Sequence, residues 1–491
     1  MDAVPIPRLD SEISAQFRRA VTPDLLAMGI GLKQSRDALL ARLINPAGSL
    51  SSTRGTLTLR RAGNDRAQAQ EWVILSMTSA VPGTLAALLC FLSLTAGAPG
   101  AFAQQPTVQP AGAIRPQGQI TEIKIGYLRA YAPRLTLSLL DLPPRDEGVA
   151  GANVAIGDNN TTGKFIKQKF SLDVAEIKPE ADAVQAFDDL IAKGDRYVVA
   201  DLSAKQLLSI ADIARDKGVL IFNVGATDDS LREEDCRINV FHIAPTRSML
   251  ADALAQYLMV KKWPNWALLY GSHDEDHLYA DALRRAAARF GGQIVAEKEF
   301  KDTGTARRTD TGATQIQQQI SVFTQDLPEH DVLLVADESE VFGTYVPYRT
   351  WTSRLVAGTA GLVASSWHPA SEQWGGIQMQ SRFLKTTGRR MLSKDMSAWT
   401  AVRAVGEATT RTNGDDPKKI SDYIRSDDFS VAAFKGQKLT FRKWNLQLRQ
   451  PILLGDTKSV VSTSPQEGYL HQVSELDTLG IDQPETKCVL K

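Results

Sequence analysis

From Tyr197 to Val224 the chain reads YVVADLSAKQLLSIADIARDKGVLIFNV. YVVADL and VLIFNV are apolar runs of strand length, and Ala204–Lys217 between them is long enough for a helix. Strands that are apolar throughout have both faces covered, so this beat predicts a parallel sheet with helices packed on it. The same beat extends upstream. Thr121–Leu128 (TEIKIGYL) predicts a strand, Gly148–Gln168 a helix and Phe170–Ile177 a strand. Asp182–Ala192 predicts a helix, with Val184, Phe187 and Ile191 as its apolar stripe.

After Pro245 the alternation restarts. Helices are expected at Ser248–Lys261, Tyr279–Phe290 and Thr314–Thr324, with strands at Trp266–Tyr270, Gln293–Phe300 and Asp331–Ala336. Two consecutive units joined near 244 predict an α/β fold of two doubly wound lobes with parallel sheets. In such sheets ligands sit at the carboxyl ends of the strands, so the cleft between the lobes is the expected binding site.

The chain has 491 residues, 43% of them hydrophobic, which is enough for a large buried core. Lys+Arg and Asp+Glu tie at 56 each, so no global charge invites nucleic acid or an anionic membrane. The three cysteines, Cys90, Cys236 and Cys488, form no C-x-x-C pair and no zinc-type spacing with histidine.

Val81–Ala103 (VPGTLAALLCFLSLTAGAPGAFA) reads as a secretory signal ending in an A-x-A site at Ala101 and Ala103. Its strongly apolar part, Leu85–Leu94, is too short to cross about 30 Å of hydrocarbon. The expected organisation is a leader at 1–76 from a start codon called too early, the signal at 77–103, and a Pro/Gln/Gly-rich linker at 104–119. The mature protein is then periplasmic and not membrane-spanning. Cys90 leaves with the signal, and the even pair Cys236 and Cys488 is expected to form a disulfide in that oxidising compartment.

Phe222–Leu231 (FNVGATDDSL), ahead of Phe241–Pro245 (FHIAP), resembles the Gly-Ala-Thr segment of type I periplasmic substrate-binding proteins of the branched-chain amino acid class. Asp201-Leu202-Ser203 is similar to the serine-bearing loop of that class, Ala398–Glu407 (AWTAVRAVGE) to its late helix, and Phe434–Phe441 (FKGQKLTF) to its closing hairpin. The resemblance covers about 120–470. Tyr469–Cys488 (YLHQVSELDTLGIDQPETKC) resembles, more narrowly, the tail of binding proteins that accompany PQQ-dependent alcohol dehydrogenase systems.

The resemblance implies an ABC importer component that closes on a small ligand and docks on a permease. It implies lobe 1 from 120–244 plus 368–430, lobe 2 from 245–367 plus 431–470, and a tail at 471–491. It places the ligand at Ser203, Gly225, Ala226 and Thr227, with the second lobe's tyrosine at Tyr279 or one position earlier at Leu278. A sensor that docks on a membrane signalling protein is an alternative role.

The loops that end the expected strands are acidic: Asp201, Asp228-Asp229, Asp274-Glu275-Asp276 and Asp337-Glu338, with Asp274–His277 (DEDH) the best single cation candidate because its three carboxylates and His277 exceed what one helix cap needs. Carboxylates facing one another across a cleft repel unless something cationic sits among them. A hard cation, Ca²⁺ or a lanthanide, satisfies that need with oxygen ligands, which makes a periplasmic cation carrier the other alternative. Helix capping explains the same residues without a metal, since acids favour the first turn.

Other motifs weaken on inspection. Gly157–Lys164 (GDNNTTGK) imitates a phosphate loop but has Phe165 where Ser or Thr should follow, and it reads as a turn. Trp351, Trp367 and His368 fall near the expected crossing between lobes, where such residues either line the cleft or, more often, pack the hinge. No Ser/His/Asp or Cys/His set emerges, so the sequence points to a binder and not to an enzyme.

Overall fold

The computed structural model describes residues 50–53, 56–59, 120–131, 142–302 and 310–491. The expected signal and linker lie outside the described residues, as does most of the leader. The chain divides into two units, Met1–Gln109 and Pro110–Lys491. In the first unit, the described residues form one antiparallel hairpin, Leu50–Thr53 with Thr56–Leu59. The Leu/Thr alternation of TLTL suits a strand.

In the second unit, the first sheet is built from β1 (Thr121–Ala130), β2 (Gln168–Ile177), β3 (Tyr197–Asp201), β4 (Leu220–Asn223) and β5 (Val240–His242). Its order is β2-β1-β3-β4-β5, parallel throughout. Successive side chains serve opposite faces, as strand geometry requires. Tyr197 and Val199 enter the core under helices α1 (Val149–Ile166), α7 (Gly376–Thr387) and α8 (Ser393–Thr412). Val198 and Ala200 enter the core under α2 (Val184–Ala192) and α3 (Ala204–Asp216).

The second sheet comprises β6 (Asn265–Gly271), β7 (Gln293–Phe300), β8 (Val332–Ala336), β9 (Leu355–Gly358) and β10 (Leu362–Ser365), which are parallel. Two antiparallel strands extend the β10 edge: β14 (Ile452–Gly455) and β15 (Val460–Ser464). Helices α4 (Arg247–Val260) and α5 (Asp274–Phe290) cover one face, and α6 (Asp310–Phe323) packs on the other. Helix α5 starts before the expected Tyr279, because Asp274, Glu275 and Asp276 form its first turn, where acids meet the positive end of the helix.

Two further readings change. Gly157–Lys164 is not a turn but lies within α1. There Asn159 is buried and donates to the Val402 carbonyl of α8 at 2.9 Å, so its polarity serves helix packing. The return to the second lobe was expected at 431. Yet the antiparallel ribbon β11 (Val431–Ala432), β12 (Lys438–Phe441) and β13 (Leu448–Arg449) keeps its apolar side chains in the first core. Phe441 meets Phe241 edge-on at 5.2 Å, and the Leu446 carbonyl accepts from His242 N–H at 2.9 Å. The chain therefore passes between lobes near 244, near 367 and at 450–452.

The tail adds a fourth link. Leu479 sits in the second core. The Gly480 carbonyl accepts from Arg285 at 3.1 Å and Arg289 at 2.5 Å, and its N–H donates to buried Asp252 at 2.8 Å. A few residues on, Thr486 and Lys487 donate to Glu233 of the first lobe. Cys488 is bonded to Cys236, and Ile238 N–H donates to the Lys491 carbonyl at 3.0 Å. The tail is thus a strap held on both lobes. Replacing Cys236 and Cys488 by Ser should cost about 2–4 kcal/mol in urea unfolding. A loss within experimental error would show that the strap's polar contacts alone carry it.

Candidate functional site

Each loop at the carboxyl ends of the strands is organised by its own side chains. Ser203 caps α3, with Gln206 N–H donating to its Oγ at 3.4 Å and Ser203 N–H donating to Gln206 Oε1 at 3.3 Å. After β4, buried Asn223 holds the Gly-Ala-Thr turn: its Oδ1 accepts from Gly225 N–H at 3.2 Å and Ala226 N–H at 3.0 Å. A Cβ on Gly225 would lie 2.8 Å from Asp201 Oδ1, so only glycine lets the two loops meet this closely. Thr227 accepts through its carbonyl from Arg247 N–H at 3.0 Å.

Ser203, Gly225, Ala226 and Thr227 thus lie on neighbouring loops of one lobe. Tyr279 lies on the other lobe, buried in its core, while Leu278 is exposed. Burial raises the Tyr279 phenol well above its ordinary range, and the charge of Glu338 pushes the same way.

The expected acids do not gather around a shared point. Asp201 pairs with Lys394 at 3.1 Å. Asp228 pairs with Arg247 at 3.1 Å, and Glu338 pairs with the same guanidinium at 2.7 Å. Asp229 accepts from Ser248 N–H at 3.2 Å. Asp276 accepts from Ser339 N–H at 2.9 Å and Ser339 Oγ at 2.7 Å. Asp337 accepts from the N–H groups of Val341 and Phe342 at 2.9 Å each and of Gly343 at 2.5 Å. Asp274 and Glu275 belong to the first turn of α5, with Asp274 exposed. His277 faces Glu299 at 3.9 Å and not these carboxylates. Among the described residues, no group of three or more His, Cys, Asp or Glu side chains is placed to hold a metal ion.

The cation that the acidic loops require is supplied by the chain. Arg247, the first residue of α4 after the crossing near 244, is 7% exposed and touches an acid from each lobe. Burial works against its charge, but Glu338 and Asp228 more than offset that and hold its pKa above the ordinary value. Burial in turn raises Glu338, with Arg247 opposing. Arg232 supports the arrangement from below. Fully buried, it donates to the carbonyls of Ala226 at 3.0 Å, Asp228 at 2.9 Å and Ala244 at 2.8 Å, and burial pulls its pKa down to about 10. Sequence reasoning missed Arg247, Arg232 and Lys394, because their partners lie on other loops and no local spacing marks them.

A cavity of about 880 Å³ opens between the lobes. The first lobe contributes Glu147, Leu392 and Ser393, the crossing contributes Trp367 and His368, and the second lobe contributes loops that include Tyr348 and Thr359. None of the expected ligand residues lines it. Trp351, 61% exposed, does not line it either. Its first-lobe wall is fixed by Asp395, which accepts from Gly148 N–H at 2.8 Å and Leu392 N–H at 3.0 Å, joining the starts of α1 and α8.

Two doubly wound lobes with chain crossings and an interlobe cavity form the type I periplasmic binding protein fold. Residues 145–320 match the periplasmic binding protein family. Among solved structures, the chain is similar to a branched chain amino acid ABC transporter periplasmic ligand-binding protein from Burkholderia xenovorans. The identity is 16% over 75% of this chain and 99% of that one, with a TM-score of 0.58. The leucine-, isoleucine-, valine-, threonine- and alanine-binding protein of Brucella ovis, in a closed conformation, is 15% identical over 75% and 99%, with a TM-score of 0.57. A branched-chain amino acid transporter substrate binding protein from Streptococcus pneumoniae, in complex with isoleucine, is 14% identical over 70% and 99%, with a TM-score of 0.52. No curated protein matches the chain in sequence. At these identities the likeness is one of fold.

Because Asp201, Asp228, Asp229, Asp276, Asp337 and Glu338 already have partners and the described residues gather no metal-binding group, La³⁺ and Ca²⁺ from micromolar to millimolar should leave the melting temperature unmoved. A rise that tracks free metal would show that an ion displaces those partners.

Proposed function

We propose that the protein is the extracytoplasmic solute-binding component of an ABC importer, which captures a small molecule by closing two lobes over it. The observation that carries this reading is the interlobe cavity, with walls from both lobes and chain crossings beside it. Lobes joined by a few crossing segments can hinge as rigid bodies, and a ligand that touches both stabilises the closed arrangement. The Cys236–Cys488 bond supports an oxidising compartment outside the cytoplasm. Among the described residues, no helix is long and apolar enough to cross a membrane, which is consistent with a soluble carrier that docks on a separate permease. The resemblance of Tyr469–Cys488 to the tails of binding proteins beside PQQ-dependent alcohol dehydrogenases supports service to periplasmic alcohol oxidation.

Protein purified from its native periplasm without denaturation should release a bound small molecule detectable by mass spectrometry. Returning that molecule to stripped protein should shrink the radius of gyration in small-angle scattering. If no molecule is released, and a periplasmic extract leaves the scattering unchanged, the capture reading is wrong.

A further inference from the structure

A second pocket, of about 400 Å³, lies beside the last two chain crossings. The first lobe supplies its walls at 370–374 and at Phe434 and Lys435, and the second lobe supplies Leu453 and the edge strand β15. It shares only Val461 with the lining of the interlobe cavity, so the two spaces are adjacent and distinct.

The turn at 433–437, between β11 and β12, shapes this pocket. A lysine in a hairpin turn ordinarily stands in water, yet Lys435 is only 6% exposed. The indole of Trp374 closes over the turn, so near that a Cβ on Gly436 would lie 2.7 Å from the ring. Trp374 is held in the left-handed backbone region (φ 56°, ψ 29°), which bulky residues rarely adopt, and is still 67% exposed. That strain sets an aromatic ring at the rim of the pocket, a placement that core packing does not require.

An ammonium carries three donors. Lys435 Nζ donates to Gln450 Oε1 at 2.5 Å, which is its one hydrogen bond among the described residues, and Gln450 Nε2 donates onward to the Ile243 carbonyl at 2.6 Å. Burial pushes the Lys435 amine down to about 7, with no neighbouring carboxylate to oppose it. The other charged residues of the lining, Glu372 and Lys458, are exposed at the rim and opposite in sign. The charge without a counterion is therefore positive and single. A monoanionic carboxylate matches it through a charge-assisted hydrogen bond, whereas a dianion would leave one charge unpaired.

We propose that this hinge pocket is a second ligand site, which takes a small organic carboxylate with its anion at Lys435 and its apolar body against Trp374 and Phe434. Its walls belong to both lobes, so an occupant would act on the crossings themselves, whatever solute the interlobe cavity captures.

The test is calorimetric and uses the whole protein with its disulfide intact. Benzoate and hexanoate are titrated at pH 8 in two buffers of different ionisation heat, with benzyl alcohol and 1-hexanol as their neutral counterparts. Lys435 is mostly neutral at that pH, so a carboxylate that pairs with it should draw a proton from the buffer as it binds. At least one carboxylate should bind with that uptake, and at least about tenfold more tightly than its alcohol. Lys435→Met, which puts an apolar chain where a buried amine was, should melt no lower than the wild type, lose at least about tenfold in carboxylate affinity and take up no proton. The proposal is overturned if neither carboxylate binds, if an alcohol binds as tightly as its carboxylate, or if Lys435→Met leaves the affinity within about twofold. Should that variant not fold, the wild type decides alone: carboxylate binding without proton uptake also overturns it. Each of these results leaves capture in the interlobe cavity to its own experiment.

Discussion

Acidic loops can close both sheets of this protein because a guanidinium sits between them. Arg247 is placed by the crossing near 244, is nearly buried, and pairs with Asp228 of one lobe and Glu338 of the other. Without it two carboxylates of the cleft region would face each other in a poorly solvated place, where like charges are costly. Arg232 fixes the same crossing from beneath by tying Ala226, Asp228 and Ala244 carbonyls to one side chain. The geometry of the Gly225–Asp229 turn therefore depends on two buried cations that belong to the chain.

The alternation of elements was legible because its central strands are nearly unbroken apolar runs. Both YVVAD and VLLVA are fully buried, as two-sided cover requires. The start of α5 was not legible, since an acidic first turn reads as a loop until the helix is seen. The phosphate-loop mimic misled for a related reason. Its glycines and asparagines look like turn formers, while Asn159 is used for contact between α1 and α8. The ribbon at 431–449 was assigned across the cleft on the family resemblance, and nothing in its own sequence says which core its apolar face meets.

At the site, the positions of the acids could be read and their partners could not. Arg247 and Glu338 are separated by 91 residues, and Lys394 reaches Asp201 from the start of α8. The repulsion argument asked for one cation among converging acids, whereas only Asp228 and Glu338 share one, Arg247, and sequence spacing does not show that pairing. Two wall residues of the cavity, Trp367 and His368, were legible from their place at the crossing, while Glu147, Leu392 and Ser393 at the starts of α1 and α8 were not, because they read as ordinary helix ends. The tail shows the same limit: two cysteines suggest a bond, but only the fold shows that the strap meets α4 and α5 before it reaches Cys236.

The claim that most depends on this geometry is that Arg247 is the countercharge of the cleft loops. A double-mutant cycle tests it directly, with Arg247→Met and Glu338→Gln made singly and together and stability measured by urea unfolding. The account predicts that Arg247→Met alone is the most damaging, because it leaves carboxylates unpaired, and that adding Glu338→Gln recovers part of the loss. The coupling should be at least about 1.5 kcal/mol, the lower end for close charge pairs. Effects that add to within about 0.5 kcal/mol, as for independent sites, would contradict it.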